Sequence, residues 1–327
     1  MSNHLLDVRN LKTSFFLSSG EVKAVDDVSF FVDSGEIVAV VGESGCGKSV
    51  TQMSVMQLVQ SPPGKIIGGQ VFFDGKDLLK MSPKEIQKVR GNEISMVFQE
   101  PMTSLNPVLK IGSQISEVIM THSSLSKQEA WEKGVRALEE VGIPDADRRM
   151  NSYPFELSGG MRQRAMIAIA VACQAKLIIA DEPTTALDVT TQAQVMELLL
   201  SLVKKYRTSL IVVTHNLGLV TRYADRIYVM YAGKIVESGT TEQLITSPRH
   251  PYTEGLLKSV PKLGNNDEDL IPIKGSPPNL ADLPNYCSFF CRCNYAEANE
   301  CEHKPIPENK LVNDGHFVRC HRCLEDE

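Results

Sequence analysis

The chain has 327 residues, 42% of them hydrophobic and 23% charged, with 34 Lys and Arg against 40 Asp and Glu for a formal net charge of −6. This length suggests about two domains with ample apolar material for a core. The acidic balance argues against non-specific nucleic-acid binding, and against acidic membrane surfaces as partners, because both reward clustered Lys and Arg.

The N-terminal MSNHLLDVRN lacks the basic and apolar regions of a secretory signal, so a cytoplasmic chain is expected. From Leu5 to Leu78 the pattern is strand and turn, in LLDVRNLKTSFF, AVDDVSFFV, EIVAVV and GQVFFDG. EIVAVV runs straight into GESGCGKS, Gly42 to Ser49. A glycine-rich loop after a strand is a phosphate cradle. Its backbone N–H groups and Lys48 surround the β- and γ-phosphates of a nucleotide, and the Ser49 hydroxyl ligates magnesium.

From about Gly91 to Ala175 the pattern turns helical, with Trp131, Val135, Leu138 and Val141 on one face of QEAWEKGVRALEEVG and a stop at Gly142 and Pro144. Late in this insertion LSGGMRQR, Leu157 to Arg164, offers Ser158 and two glycine amides at the start of an apolar helix. Free amides at a helix N-terminus attract phosphate. The apolar run that follows, Ala165 to Ala175, is shorter than the roughly 18 residues of a membrane span and reads as a core helix. KLIIADE and SLIVVTH are continuous apolar runs with polar residues at their carboxyl ends, which suits parallel strands buried on both faces with ligands at that end.

Beyond Ser238 the composition changes. RHPYTEGLL enters a last helix, and a Pro-, Asn- and Asp-rich stretch through Pro284 reads as a linker to a small C-terminal module. Six of the eight cysteines crowd into the last 41 residues. In a reducing compartment such a cluster points to metal rather than to cystine. The spacing differs from the two regular CxxC pairs of a zinc ribbon, and from the residues alone iron, zinc and no metal all stay open.

The order of these motifs resembles the ATPase subunit of an ABC transporter. GSPPNL, HPYT and the terminal cysteines resemble its oligopeptide/dipeptide (and nickel) importer branch, and the resemblance covers essentially the whole chain. It implies an α/β fold, a P-loop NTPase core of the ABC ATPase type with an antiparallel β subdomain and an α-helical subdomain at about 91–175. The ATPase domain is expected over 1–260 and a Cys-rich module over 261–327. It implies ATP and Mg2+, with loop contacts from Gly42, Ser44, Gly45, Cys46, Gly47, Lys48, Ser49 and Val50. Phe15 resembles the aromatic that stacks on adenine, with Phe16 beside it.

The same resemblance assigns magnesium to Asp181, activation of the attacking water to Glu182, and a γ-phosphate contact to His215. Gln99 is the residue that reaches metal and water and senses a transmembrane partner. Ser158, Gly159, Gly160 and Asp188 are implied to complete the site of a second ATPase subunit, so that two ATP molecules hold a dimer closed until cleavage. Met161 departs from the commoner Gln. Cys287, Cys293, Cys301 and Cys320 match four positions of a four-iron cluster site. Cys291 and Cys323 fall outside it, with His303, His316 and His321 nearby.

The implied partners are two transmembrane permease subunits, a sister ATPase forming a heterodimer, and an extracellular substrate-binding protein, at the cytoplasmic face of the cell membrane. A rival reading is a soluble ABC-type scaffold on nucleic acid or ribosomes, but such chains carry paired ATPase domains or a long coiled coil. Another is a redox sensor whose cysteines regulate ATP use. Oligopeptide, dipeptide and nickel uptake are not separated by these residues.

Overall fold

In chain order the elements are β1 (Leu6–Leu17), β2 (Gly20–Val32), β3 (Ile37–Val41), α1 (Lys48–Val55), β4 (Gly64–Phe73) and β5 (Lys76–Asp77). Next come α2 (Pro83–Val89), β6 (Ile94–Val97), α3 (Pro101–Ser104), α4 (Ile111–His122), α5 (Lys127–Glu140), α6 (Ala146–Met150) and α7 (Gly159–Val171). They are followed by β7 (Leu177–Asp181), α8 (Val189–Tyr206), β8 (Ser209–Thr214), α9 (Leu217–Val220), β9 (Arg226–Tyr231) and β10 (Lys234–Thr240). The chain closes with α10 (Thr241–Thr246), α11 (Pro251–Lys258), β11 (Lys310–Asn313) and β12 (His316–Val318). This computed structural model describes residues 4–184, 188–259 and 272–323. Two units divide the chain, one holding residues up to Lys80 and from Val213 onward, the other Met81–Val212.

In the first unit the alternating pattern of the N-terminal 80 residues forms an antiparallel sheet in the order β2-β1-β4-β5. Leu6, Val8 and Leu11 are buried on it. Helix α1 packs on β1, and the Thr13 and Ser54 hydroxyls share a buried hydrogen bond of 2.7 Å. A second run of strands lies in the order β11-β12-β10-β9-β3. There β3 is parallel to β9, and Val38, Ala39, Val40 and Val41 are all buried, as a parallel strand covered on both faces requires.

The C-terminal segment joins this unit directly, because β12 pairs with β10 through Glu237↔Val318 and Ser238↔Phe317. The expected boundary at residue 261, and much of the expected linker, lie outside the described residues.

In the second unit β8, β7 and β6 lie side by side, with β6 parallel to β7. Ile94–Val97 is therefore a strand inside a stretch whose sequence pattern is otherwise helical. Ile111, Ile115 and Ile119 recur every four residues and bury one stripe of α4. Ser126 and Glu129 form a capping box that starts α5. The face of α5 that buries most deeply is Ala130, Gly134, Ala137 and Leu138, with Trp131 and Val135 at its margin. A Cβ on Gly134 would lie 2.6 Å from Met150 Cε, so the small residues set how closely this helix packs. Helix α7 is buried over most of its length, as expected for AMIAIAV. No helix among the described residues is long and apolar enough to cross a membrane.

Candidate functional site

Strand β3 ends at Val41 and α1 begins at Lys48, so the intervening loop must turn the chain in six residues. Two glycines make the turn possible. Gly47 has φ +103° and a Cβ there would meet the Ala24 carbonyl oxygen at 2.1 Å; at Gly42, φ +155°, it would meet the Met230 carbonyl oxygen at 2.1 Å. Only a residue without a side chain fits either place. The Lys48 ammonium is buried and donates to the carbonyls of Gly42 at 2.8 Å and Glu43 at 3.0 Å. Thr51 donates its hydroxyl to the Gly47 carbonyl at 2.9 Å, tying helix to loop. Ser44 and Gly45 are exposed, Ser49 and Val50 half-buried, and Cys46 buried. Burial pushes the Cys46 thiol up, so it sits here as a small neutral side chain.

Glu43, the acid inside this loop, has two partners that sequence reasoning missed. Its N–H donates to the Tyr252 hydroxyl at 2.8 Å. Its carboxylate accepts both guanidinium amino groups of Arg292, at 2.6 and 2.9 Å. That bidentate pair lifts the Arg292 guanidinium above its already high ordinary value. The available signal was chemical: an acid within an anion cradle calls for a cation. Phe15 pairs with Val22 and Gly64 across the sheet and is half-buried, whereas Phe16 is 51% exposed.

In the second unit the parallel register of β6 and β7, Val97↔Ala180, sets their carboxyl ends side by side. Gln99 follows β6, Asp181 ends β7, and Glu182 comes next. Gln99 Nε2 donates to Glu182 Oε2 at 3.2 Å. Asp181 and Glu182 are 5% and 8% exposed, and Glu182 has φ +44°, a left-handed conformation uncommon for a residue with a side chain. The Asp181 carboxylate and the Gln99 amide oxygen are hard oxygen donors, the ligand type that magnesium takes. His215 is exposed directly after β8, next to the buried Thr214, which accepts the Asn216 N–H at 3.1 Å.

Ser158 caps α7, its hydroxyl accepting the Met161 N–H at 3.3 Å. Asp188 caps α8, accepting the Thr191 N–H at 3.0 Å and the Thr191 hydroxyl at 2.7 Å. Ser158, Gly159, Gly160, Met161, Asp188 and Thr191 line one open depression of about 440 Å³, within the usual range for ligand sites. Two helix N-termini at one hollow favour an anion. Residues 185–187 of TTALD lie outside the described residues.

Cys287, Cys293, Cys301 and Cys320 line a cavity of about 20 Å³ together with His250 and Phe289. Burial, and then mutual repulsion of their charged forms, push Cys287 and Cys293 up to about 11. Cys291 is exposed and Cys323 half-buried. Among the described residues no three His, Cys, Asp or Glu side chains form a group that could hold a metal ion. His316 is taken up elsewhere: its Nε2 meets Glu237 Oε1 at 2.8 Å, with both side chains fully buried. His321 bonds the Pro305 carbonyl at 2.8 Å.

Comparison with known proteins adds to this geometry. Residues 25–185 match the family described as ABC transporter, and residues 236–301 match the family described as oligopeptide/dipeptide transporter, C-terminal region. The sequence is 52% identical to the oligopeptide transport ATP-binding protein OppD of Bacillus subtilis, over 96% of this chain and 88% of that protein. It is 53% identical to the oligopeptide transport ATP-binding protein AppD of the same organism, over 97% of this chain and 96% of that protein. The dipeptide transport ATP-binding protein DppD of Bacillus subtilis is 47% identical over 97% of this chain and 94% of its own length. Among solved structures, the ATP-binding cassette MJ0796, a dimer in a post-hydrolysis state with ADP and Pi, aligns with a TM-score of 0.65 at 26% identity, covering 72% of this chain and 98% of that one.

Proposed function

The chain belongs to the ABC transporter family, and we propose from that premise that it is the ATP-hydrolysing subunit that powers peptide import through a membrane ABC transporter. The observation that carries this reading is the end-to-end match to peptide-transport ATP-binding proteins, C-terminal region included. A scaffold acting on nucleic acid or ribosomes has no comparable support.

The residues divide the work as follows. The amides of Gly42, Ser44, Gly45, Cys46, Gly47, Ser49 and Val50 cradle the phosphates, and Lys48 exchanges its carbonyl partners for phosphate oxygens. Phe15 is favoured for the adenine because Gly64 beside it has no side chain to crowd the ring. Ser49, Asp181 and Gln99 would hold Mg2+, which neutralises charge on the β- and γ-phosphates. Glu182 accepts the proton of the attacking water, with Gln99 setting the direction of its carboxylate. His215 contacts the γ-phosphate. Catalysis of this kind is positioning plus electrostatics, since charge spreads over the equatorial oxygens in the transition state.

The depression at Ser158, Gly159, Gly160 and Asp188 receives the triphosphate of a second ATPase subunit, a sister chain in a heterodimer. The dimeric state of the MJ0796 cassette supports pairing of two ATP-binding subunits, though not the identity of the second. Phe98, Met102, Val108 and Leu109 are large apolar side chains left exposed on the segment around Gln99. They suit docking to the membrane permease subunits, and the reading has this chain work as a peripheral subunit at the cytoplasmic face of the cell membrane in a complex with an extracellular binding protein. The test is reconstitution with the permease subunits and binding protein in liposomes. ATP-driven uptake of labelled di- to octapeptides, lost in Lys48→Ala, is expected; uptake of nickel but no peptide would sink the substrate assignment.

We propose, as a second component of the reading, a [4Fe-4S] cluster on Cys287, Cys293, Cys301 and Cys320, which line one cavity. Tetrahedral zinc needs four sulfurs about 3.8 Å apart, from a Zn–S length of about 2.3 Å. In such a cluster each of the four thiols lining the cavity would take one iron. Anaerobically purified protein should contain about four iron and four sulfide per chain. Stoichiometric zinc and no visible absorption would reverse this choice.

A further inference from the structure

We propose that Arg292 is a positioning residue of the nucleotide site, cancelling the charge of Glu43 so that the phosphate loop accepts a polyanion. The inference rests on the reading of Gly42–Ser49 as an ATP site. Glu43 lies 249 residues before Arg292 in sequence, yet the two form a bidentate ion pair at 2.6 and 2.9 Å. The Arg292 side chain is 5% exposed and that of Glu43 26%. At such burial the two charges are poorly screened by water.

The loop backbone does not depend on this pair. The Tyr252 hydroxyl takes the Glu43 N–H, and Lys48 takes the Glu43 carbonyl. What remains for Arg292 is the carboxylate, which would otherwise stand as an uncompensated negative charge in a loop that must bind a triphosphate. Arg292 is itself fixed beforehand. Its Nε donates to the Lys274 carbonyl at 2.9 Å, Nη2 donates to the Gly275 carbonyl at 3.3 Å, and its guanidinium lies over the rings of Tyr231 and Phe289. Gly275 opens the GSPPNL stretch and Lys274 directly precedes it, so the C-terminal segment delivers one cation to the phosphate loop and holds it there. Pro277, Pro278 and Leu280 of that stretch line a small cavity with Ser44, Gly45 and Cys46, which sets the two segments against each other.

The test is calorimetric titration of the full-length chain with MgATP, MgADP and adenosine. Arg292→Ala should raise the ATP Kd on the order of tenfold, the ADP Kd less, and the adenosine Kd not at all, because the defect follows ligand charge. Arg292→Lys should fall between, since a lysine keeps the charge but not the bidentate fork. Glu43→Gln should bind ATP at least as tightly as the wild type, and Glu43→Gln added to Arg292→Ala should restore most of the lost affinity. An equal loss for adenosine, no loss for ATP, or a double variant as weak as Arg292→Ala overturns the proposal. If Arg292→Ala does not fold, Glu43→Gln alone decides, weaker ATP binding by it being the refuting result. Wild-type protein that fails to bind ATP, or Lys48→Ala that binds it normally, would instead defeat the nucleotide-site reading.

Discussion

Glu182→Gln separates chemistry from structure more sharply than any other change in this molecule. Glu182 is 8% exposed, and its carboxylate accepts a hydrogen bond from Gln99 Nε2 at 3.2 Å. Glutamine has the same shape and keeps an oxygen for that donor, so a charged hydrogen bond becomes a neutral one. The stability cost is about 1 kcal/mol, or roughly 2 to 4 °C in Tm for a domain of this size. The catalytic cost is of another order. Loss of a general base lowers turnover by about 10² to 10⁴-fold, or about 3 to 5 kcal/mol of transition-state stabilisation. ATP affinity should stay within about threefold of wild type, since the role proposed for Glu182 is toward water rather than the nucleotide. The assays are phosphate release by the assembled transporter, calorimetric ATP binding, and sizing of the ATP-bound variant mixed with its sister ATPase, in which the pair should accumulate as a persistent dimer. Turnover within threefold of wild type would remove Glu182 from the mechanism. A parallel collapse of ATP binding would show that its role is structural.

Gly47→Ala should weaken ATP binding by at least about tenfold, because the added methyl would lie 2.1 Å from a backbone oxygen; Gly45→Ala, with open space around it, carries only left-handed strain of about 1 to 2 kcal/mol and should be milder by calorimetry. Glu237→Ala orphans the Arg249 N–H, the His250 N–H and His316 Nε2 in a buried place. Urea unfolding should register a loss of about 3 to 5 kcal/mol, and one below about 1 kcal/mol would contradict the hub. Burial pushes His250 down from 6.5 to about 4, so as pH falls the unfolded chain takes up the proton first. The stability present above pH 6.5 is therefore lost between 6.5 and about 4, in all about 3 kcal/mol. His250→Asn, which can still cap α11, should flatten that part of a stability-against-pH series, and an unchanged slope would refute the assignment.

Local signals carried most of the fold. EIVAVV into GESGCGKS, KLIIADE and SLIVVTH all name strands whose carboxyl ends bear polar residues, because apolar continuity and glycine chemistry act within a few residues of chain. Ile94–Val97 escaped because a strand of four residues, only three of them apolar, is too short to set a period against the helices on either side. The face of α5 is centred about one residue away from Trp131 because Gly134 and Ala137 permit closer approach than their hydrophobicity suggests. Gln99 and Glu182 were legible as separate residues, but their contact depends on the parallel register of two strands 80 residues apart. Arg292 and Tyr252 were invisible for a stronger form of that reason: nothing near either residue says that its partner is Glu43.

The pairing of β12 with β10 has a practical bearing. Strand β10 would otherwise end its sheet with open amides and carbonyls, and the short β11–β12 hairpin occupies them, pinned by His316 on Glu237 and by Gln243 on the Asp314 carbonyl at 3.0 Å. A version trimmed back to α11 would bare that rim to other chains, and strand-to-strand addition would draw it into aggregates. The tail thus doubles as a solubility device, and expression work on this subunit should leave it in place.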